Sequence, residues 1–174
     1  MNIWGYIIKL LIHGFLSLLE LNNGSKFVII GNIITFICVP ILYSIYCYNN
    51  SVNVAERIND ILTTISIFLA IALGVIFIVP DKLTNRIKQI TTENESDVLY
   101  IKKFKDFCKL FIKRLTFLLL ISVFIIIISI CVPGLPTYIQ KYISSSIMGL
   151  FILSILSILK LIVDIYNFLI ENIK

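Results

Sequence analysis

The chain has 174 residues, 59% of them hydrophobic, and a formal net charge of +5. Soluble domains contain roughly 45–50% apolar residues, so this composition excludes an ordinary water-soluble globule with polar helix faces. In such a chain, positive charge marks the cytoplasmic side of a membrane protein rather than a nucleic-acid interface.

Four long apolar runs carry the fold prediction. Each reaches the roughly 20 residues with which a helix crosses a hydrocarbon core about 30 Å thick. They predict an all-α membrane protein with one four-helix transmembrane bundle over residues 27–174. Its spans lie at about 27–48, 61–80, 115–133 and 143–163.

The first 21 residues predict an amphipathic helix ahead of the bundle. Lys9, His13, Ser17 and Glu20 recur at helical spacing and form a narrow polar stripe on an otherwise apolar helix. Such a helix lies in the membrane interface or packs on the bundle. A fifth crossing is the alternative, and it would place the N-terminus outside.

Two residues of the first span predict local structure. Pro40 removes one backbone hydrogen bond and should kink the helix near its middle. Asn32 needs a hydrogen-bond partner in lipid, so we expect it to face another helix.

The second span carries a small residue at every fourth position, namely Ser66, Ala70 and Gly74. Small side chains let helix backbones approach closely, so these residues predict a helix-packing face. The pattern leaves open whether the partner helix belongs to the same subunit or to another copy.

The connection 81–114 holds nine of the fifteen lysines and arginines. The positive-inside rule therefore makes it cytoplasmic, and with four crossings both termini are cytoplasmic too. We expect a multi-pass protein of the inner (plasma) membrane.

The same connection is too regularly patterned for a loose loop and predicts a cytoplasmic helical hairpin that extends spans two and three. No breaker lies between Val98 and Val132, so one helix can run through that whole range. The apolar stripe of this arm needs cover, either from the other arm of the hairpin or from a soluble partner.

Five lysines occupy the polar side of the second arm. They are Lys102, Lys103, Lys105, Lys109 and Lys113. Our main interpretation is attraction to anionic lipid headgroups. Docking of an acidic protein surface is the second interpretation, and direct nucleic-acid binding is not expected.

The end of span four places four polar residues on one helix face: Lys160, Asp164, Asn167 and Glu171. Lys160 and Asp164 are four residues apart and can pair. We interpret this face as a helix end that emerges into the cytoplasm, with Lys160 extending outward toward the headgroups. In the alternative, the face meets a partner or lines an inner vestibule.

The sequence shows no phosphate loop, paired-carboxylate site or metal-ligand cluster. We therefore expect no enzyme, no catalytic residue, no cofactor and no metal. Ionisable residues are also missing from the middle of the spans, which argues against a proton-coupled carrier. A passive pore lined by hydroxyls and apolar constrictions stays open.

The four apolar runs and the basic connection 81–114 together resemble the small membrane subunits of bacterial anti-phage systems, specifically the KwaA-like subunit of the Kiwa system. The resemblance is one of architecture, and no motif carries a functional residue across. It implies a homo-oligomer in the inner membrane. Its cytoplasmic face would hold a soluble DNA-binding effector and couple phage-induced membrane disturbance to it.

Two functions follow as expectations. The first is an oligomeric inner-membrane scaffold and sensor that recruits or regulates a cytoplasmic effector. The second is an oligomeric pore or permeabilising effector. The expected partners are the lipid bilayer, further copies of the chain and a cytoplasmic protein.

Overall fold

The computed structural model describes residues 3–20, 25–52, 59–74 and 95–173. Over these residues the chain is helical and contains no strand, which confirms the predicted all-α class. The helices are α1 (Ile3–Leu19), α2 (Lys26–Asn49), α3 (described over Asn59–Gly74), α4 (Glu95–Cys131) and α5 (Thr137–Ile173). A short 3₁₀ turn, Val132–Gly134, joins α4 to α5.

Among the described residues, three helices are long and apolar enough to cross a membrane. These segments are Lys26–Asn49, Val98–Gly134 and Thr137–Phe168, with mean hydropathies of 2.3, 3.1 and 2.4. The second predicted span, 61–80, lies partly outside the described residues, and α3 covers its first part. The part of the chain that the structure describes therefore contains three candidate spans, two shorter apolar helices and a common core.

The core takes buried side chains from each of the five described helices. Leu18 of α1, Phe36 of α2, Ile65 of α3, Ile125 of α4 and Ile147 of α5 belong to one apolar cluster. Because every helix contributes a buried residue, the described helices form one packed bundle.

Helix α2 changes its winding directly before its proline. Residues Ile34–Cys38 form a π-helical turn in which the Val39 amide donates to the Ile34 carbonyl. Pro40 follows at the start of the next α-helical stretch. A proline cannot complete the regular hydrogen-bond ladder, and a π turn is one way in which a helix accommodates such a defect.

Helices α4 and α5 are each 37 residues long. At 1.5 Å per residue each measures about 55 Å, well beyond the hydrocarbon thickness of about 30 Å. The unbroken α4 confirms the prediction of one helix through this range. The two helices stay together at the far end, where the ring of Phe168 lies 4.2 Å from that of Phe107 and 5.6 Å from that of Phe104.

This pairing corrects the expected cover of the α4 apolar stripe. We expected the other arm of the hairpin or a soluble partner to cover it, but α5 does so within the described residues. Phe111 and Leu115 of α4 are buried against Leu161 of α5. The other arm of the predicted hairpin, 81–94, lies outside the described residues.

The second half of helix α1 packs on the bundle, whereas its first half is exposed. Gly14, Leu18 and Leu19 are buried, whereas Trp4 and Ile8 near its start are more than half exposed. Of the two placements that the sequence allowed, packing on the bundle therefore applies to the second half of α1.

Candidate functional site

Three helices meet at a cluster of four charged side chains, which we call the ion network. It consists of Glu20 at the end of α1, Arg114 in α4, and Lys160 and Asp164 in α5. Arg114 is its centre and is completely buried, with 0% of its side chain exposed. A buried guanidinium at a three-helix junction is the most unusual polar feature of the described structure.

Every nitrogen of the Arg114 guanidinium has an acceptor. Nη2 donates to Glu20 Oε1 at 2.9 Å and to the Ser17 carbonyl at 2.7 Å. Nε donates to the same carbonyl at 3.1 Å, and Nη1 pairs with Asp164 Oδ2. Lys160 closes the ring, with its Nζ 2.8 Å from Glu20 Oε1 and 3.3 Å from Asp164 Oδ1.

The local sequence explains why the charges arrive there. Arg114 ends the basic part of α4, immediately before the uncharged stretch 115–133. Glu20 ends the polar stripe of α1, and Lys160 and Asp164 lie one turn apart on α5. On each helix, the charged side chain therefore lies near a boundary of an apolar segment.

The network is electrically balanced, with two cations and two carboxylates. Buried charges are tolerated only when each has partners that replace its lost hydration, and here all four have them. Burial raises the pKa of the Glu20 carboxyl, but hydrogen bonds and charge attraction from Lys160 and Arg114 outweigh it. The pKa of Glu20 therefore lies below its ordinary 4.5.

Glu20 also holds an uncommon backbone conformation, with φ at 53°. This left-handed region usually takes glycine or asparagine at a helix end. Glu20 has this conformation although it is neither glycine nor asparagine, and its side chain pairs with both cations of the network. The backbone at the end of α1 therefore allows the carboxylate to reach Arg114 and Lys160.

The arrangement is suited to coupling helices rather than to chemistry. Its donors and carboxylates are occupied by one another. No group of three metal-binding side chains occurs in the part of the chain that the structure describes. The network therefore joins α1, α4 and α5 at one place.

A second polar group marks the opposite end of the bundle, and we call it the tyrosine cluster. Tyr48 of α2 donates to the Tyr142 hydroxyl of α5 at 3.0 Å, and their ring centroids are 4.8 Å apart. The Lys141 ammonium lies 4.4 Å from the centre of the Tyr48 ring, a cation–π distance. Tyr142 and Lys160, which mark the two ends on α5, are 18 residues apart.

The structure corrects our interpretation of the polar end of span four. Lys160 was expected to extend outward, but its side chain is only 20% exposed and turns inward to Glu20. Asp164 faces the same network and pairs with Lys160 as their spacing indicates. Asn167 is exposed, and the side chain of Glu171 lies outside what the structure describes.

The predicted basic face is exposed, and Asp106 lies within it. All five of its lysines are exposed: Lys102, Lys103, Lys105, Lys109 and Lys113. Lys109 lies 4.0 Å from Asp106 in a solvent-facing pair, which holds neither side chain firmly. The basic face lies opposite the side of α4 that α5 covers.

The predicted packing residues separate into two groups. Asn32 donates to the Leu19 carbonyl at 3.4 Å, so α2 has a polar contact with the end of α1. Ser66, Ala70 and Gly74 of α3 are exposed, and a Cβ added at Gly74 would meet no atom within 4 Å. They are therefore not a packing face within the described subunit, and contact with another copy stays a prediction.

Close helix contacts lie instead at two other glycines. A Cβ at Gly149 of α5 would come 2.9 Å from the Pro40 carbonyl and 3.1 Å from the Ser44 Cβ of α2. A Cβ at Gly14 of α1 would overlap the Phe117 Cβ of α4. These two glycines set the spacing between neighbouring helices.

The sequence reasoning missed the role of Arg114 and of these glycines. Arg114 was counted only among the basic residues of the connection 81–114. One signal was its position, because it is the last charge before a long apolar stretch. Another was the four-residue spacing of Ser145 and Gly149, a small-residue pattern like the one noted in α3.

No protein-family profile, curated protein or solved structure matches this chain significantly.

Proposed function

We propose that this protein is a membrane scaffold and sensor that holds a soluble effector at the cytoplasmic surface. It crosses the membrane four times, by α2, span 61–80, α4 and α5, with both termini in the cytoplasm. The spacing of its two polar ends supports this placement. The tyrosine cluster and the ion network are 18 residues apart on α5, about 27 Å, which is close to one hydrocarbon thickness of about 30 Å.

Beyond the ion network, α4 and α5 continue together as a structure that we call the stalk, formed by 98–113 and 165–173. The α5 side of 98–113 is apolar and covered, and its other side carries the basic face. The observation that carries the proposal is a helix that α5 supports along one side and that exposes five lysines on the other side.

Distance divides these lysines into two groups. Lys109 and Lys113, the root lysines, lie five and one residues from Arg114, or about 8 and 2 Å along the helix. Lys102, Lys103 and Lys105, the tip lysines, lie about 14–18 Å from it.

Anionic lipid headgroups can attract only one of the two groups of lysines strongly. The headgroup region extends about 5–8 Å beyond the hydrocarbon, and physiological salt screens charges over about 8 Å. The root lysines lie inside this zone, whereas the tip lysines lie near or past its limit. We therefore assign the root lysines to anionic headgroups and the tip lysines to an acidic surface on a soluble protein.

The test is charge reversal at the tip, with reversal at the root as its control. Protein with Lys102→Glu, Lys103→Glu and Lys105→Glu is purified in mild detergent and compared with the wild type and with Lys109→Glu/Lys113→Glu. Soluble proteins that co-purify with the wild type should be lost from the tip variant and kept by the root variant. The helical content should be equal in all three.

The root variant should instead bind vesicles that contain anionic lipid less tightly than the wild type does. Unchanged co-purification after tip reversal would exclude the scaffold role as stated. The architectural resemblance to anti-phage membrane subunits adds two parts to the proposal, namely a homo-oligomer and an effector that acts in defence.

A pore is the second candidate, and the exposed face of Ser66, Ala70 and Gly74 favours it, since copies could meet there. Within one subunit, the buried hydroxyls of Ser154 and Ser157 donate to carbonyls of their own helix and so provide no free lining. The pore predicts ion flux from purified protein in liposomes that Ser66→Phe or Gly74→Phe alters. Liposomes that stay tight under every trigger would exclude it.

A further inference from the structure

Helix α1 has an exposed apolar first half and a second half that packs on α4 next to the stalk. Its first half presents Ile3, Trp4 and Ile8, each more than half exposed. In a membrane protein, such a patch contacts lipid. The state of the surrounding bilayer therefore acts directly on this half of the helix.

Its second half is bound to α4 by close packing and by hydrogen bonds. Gly14 lies against Phe117 and the Lys113 carbonyl, and the rings of Phe15 and Phe117 are 5.7 Å apart. The Ser17 carbonyl accepts two hydrogen bonds from Arg114. These contacts lie next to the root lysines of the stalk.

Glu20 extends the connection to α5, because it binds Lys160 as well as Arg114. Its left-handed backbone lets the chain end the helix with the carboxylate facing both cations. A displacement of α1 would therefore withdraw one carboxylate from a balanced network. The two cations would then share Asp164 alone, and the α4–α5 contact at the base of the stalk would have to rearrange.

We propose that α1 is the sensing element of the scaffold, a helix that detects a change in the bilayer and passes it through Glu20 to the stalk. This inference rests on the proposed scaffold function and names its regulation. It treats Glu20 as a positioning residue, which acts through Arg114 and Lys160.

The test uses the full chain in liposomes of two thicknesses, dioleoyl- and the thinner dimyristoleoyl-phosphatidylcholine. Trp4 is the only tryptophan in the sequence, so quenching of its fluorescence by brominated lipids reports the position of α1. Hydrogen exchange followed by mass spectrometry reports the stalk segment 98–113. In the wild type, the thinner bilayer should change Trp4 quenching and speed exchange in the stalk about threefold or more.

The decisive variant is Glu20→Gln, which keeps the side-chain shape and removes its charge. Trp4 quenching should still respond to thickness, but stalk exchange should no longer depend on it. Lys9→Gln, on an exposed part of the same helix, is the matched control and should behave as the wild type does. Lys160→Gln should weaken the stalk response without moving Trp4.

Two results would overturn the inference. One is stalk exchange that is independent of bilayer thickness in the wild type, a measurement that stands even if Glu20→Gln does not fold. The other is a full stalk response in Glu20→Gln. A stalk that responds to the bilayer yet binds no soluble protein would instead overturn the scaffold and leave the coupling in place.

Discussion

At the scale of single residues, the Arg114 side chain joins three helices through polar contacts. It is fully buried, and its partners come from two other helices. A buried ion pair is weak evidence for added stability, because removing charges from water costs nearly as much as pairing them returns. Removing only one member is different, since it leaves its partners buried and unbalanced.

We therefore expect Arg114→Met to destabilise the bundle by about 3–5 kcal/mol, because Glu20 and Asp164 would then share one cation. Thermal unfolding in mild detergent measures the effect. Adding Glu20→Gln restores a neutral Lys160–Asp164 pair, so the double variant should lose less than the sum of the single losses. Lys103→Met is the exposed control and should change stability by less than about 0.5 kcal/mol.

An Arg114→Met protein that unfolds at the wild-type temperature would show that the ion network does not hold the three helices together.

The lowered pKa of the Glu20 carboxyl predicts that the protein becomes less stable in acid. Its pKa lies below 4.5 in the folded protein and near its ordinary value in the unfolded chain. The unfolded state therefore binds the proton more readily, and the stabilising contribution is complete above pH 4.5 and lost as the pH falls through the folded pKa. Unfolding temperatures measured downward from neutral pH should fall in this acid range.

Glu20→Gln lacks the titrating group, so its unfolding temperature should depend less on acid than that of the wild type. Parallel curves for the two proteins would contradict this assignment.

At the scale of the helices, two glycines fix the distance between neighbours and a third does not. Gly149 lies against the α2 backbone at Pro40, whereas Gly74 has open space around it. Both are helical, so the intrinsic gain from replacing glycine by alanine is the same at each, about 0.5–1 kcal/mol. The difference between them therefore reports packing.

We expect Gly149→Ala to destabilise the protein by about 1–3 kcal/mol, because its Cβ would meet a backbone carbonyl that cannot turn away. Gly74→Ala should be neutral or slightly stabilising. Unfolding of the two variants in the same detergent gives the comparison. Equal effects at both positions would mean that α2 and α5 are not in the contact described.

The helices themselves could be predicted from the sequence, but their contacts could not. Hydropathy and the lack of a breaker are local properties, and they predicted the unbroken α4. The ion network joins Glu20 to Arg114 across 94 residues and Arg114 to Asp164 across 50. No local pattern specifies such a meeting, because it depends on which faces of three helices turn toward one another.

The small-residue face of α3 shows that a packing pattern in the sequence does not by itself indicate a packing contact. Ser66, Ala70 and Gly74 have a spacing that permits close packing, but spacing does not supply a neighbour. Gly149 has that neighbour in α2. The sequence shows where a helix has side chains small enough for close packing. Which helix packs there depends on how the five described helices share one core.

At the scale of the whole molecule, the two polar ends define an axis. The tyrosine cluster lies at one end, and the ion network with the stalk lies at the other. This division agrees with the crowding of lysines and arginines into 81–114 and leads to a directional prediction for the membrane.

In a background with all four native cysteines replaced by serine, Tyr138→Cys beside the α4–α5 turn should react with a membrane-impermeant maleimide on intact cells. Lys102→Cys on the stalk should react only after the cells are permeabilised. Both positions are exposed in the structure, so a difference in labelling reports sidedness. Labelling of Lys102→Cys on intact cells would reverse the proposed orientation.

The order of synthesis gives the α1 contact a further consequence. Glu20 leaves the ribosome 140 residues before Lys160, and at 5–20 residues per second that interval is roughly 7–30 s. During that time α1 can pack on α4 and Glu20 can bind Arg114, but the second cation of the carboxylate is still missing. Closure of the network is therefore among the last steps of assembly, and a nascent chain arrested before Lys160 should hold the second half of α1 against α4 with Glu20 bound to Arg114 alone.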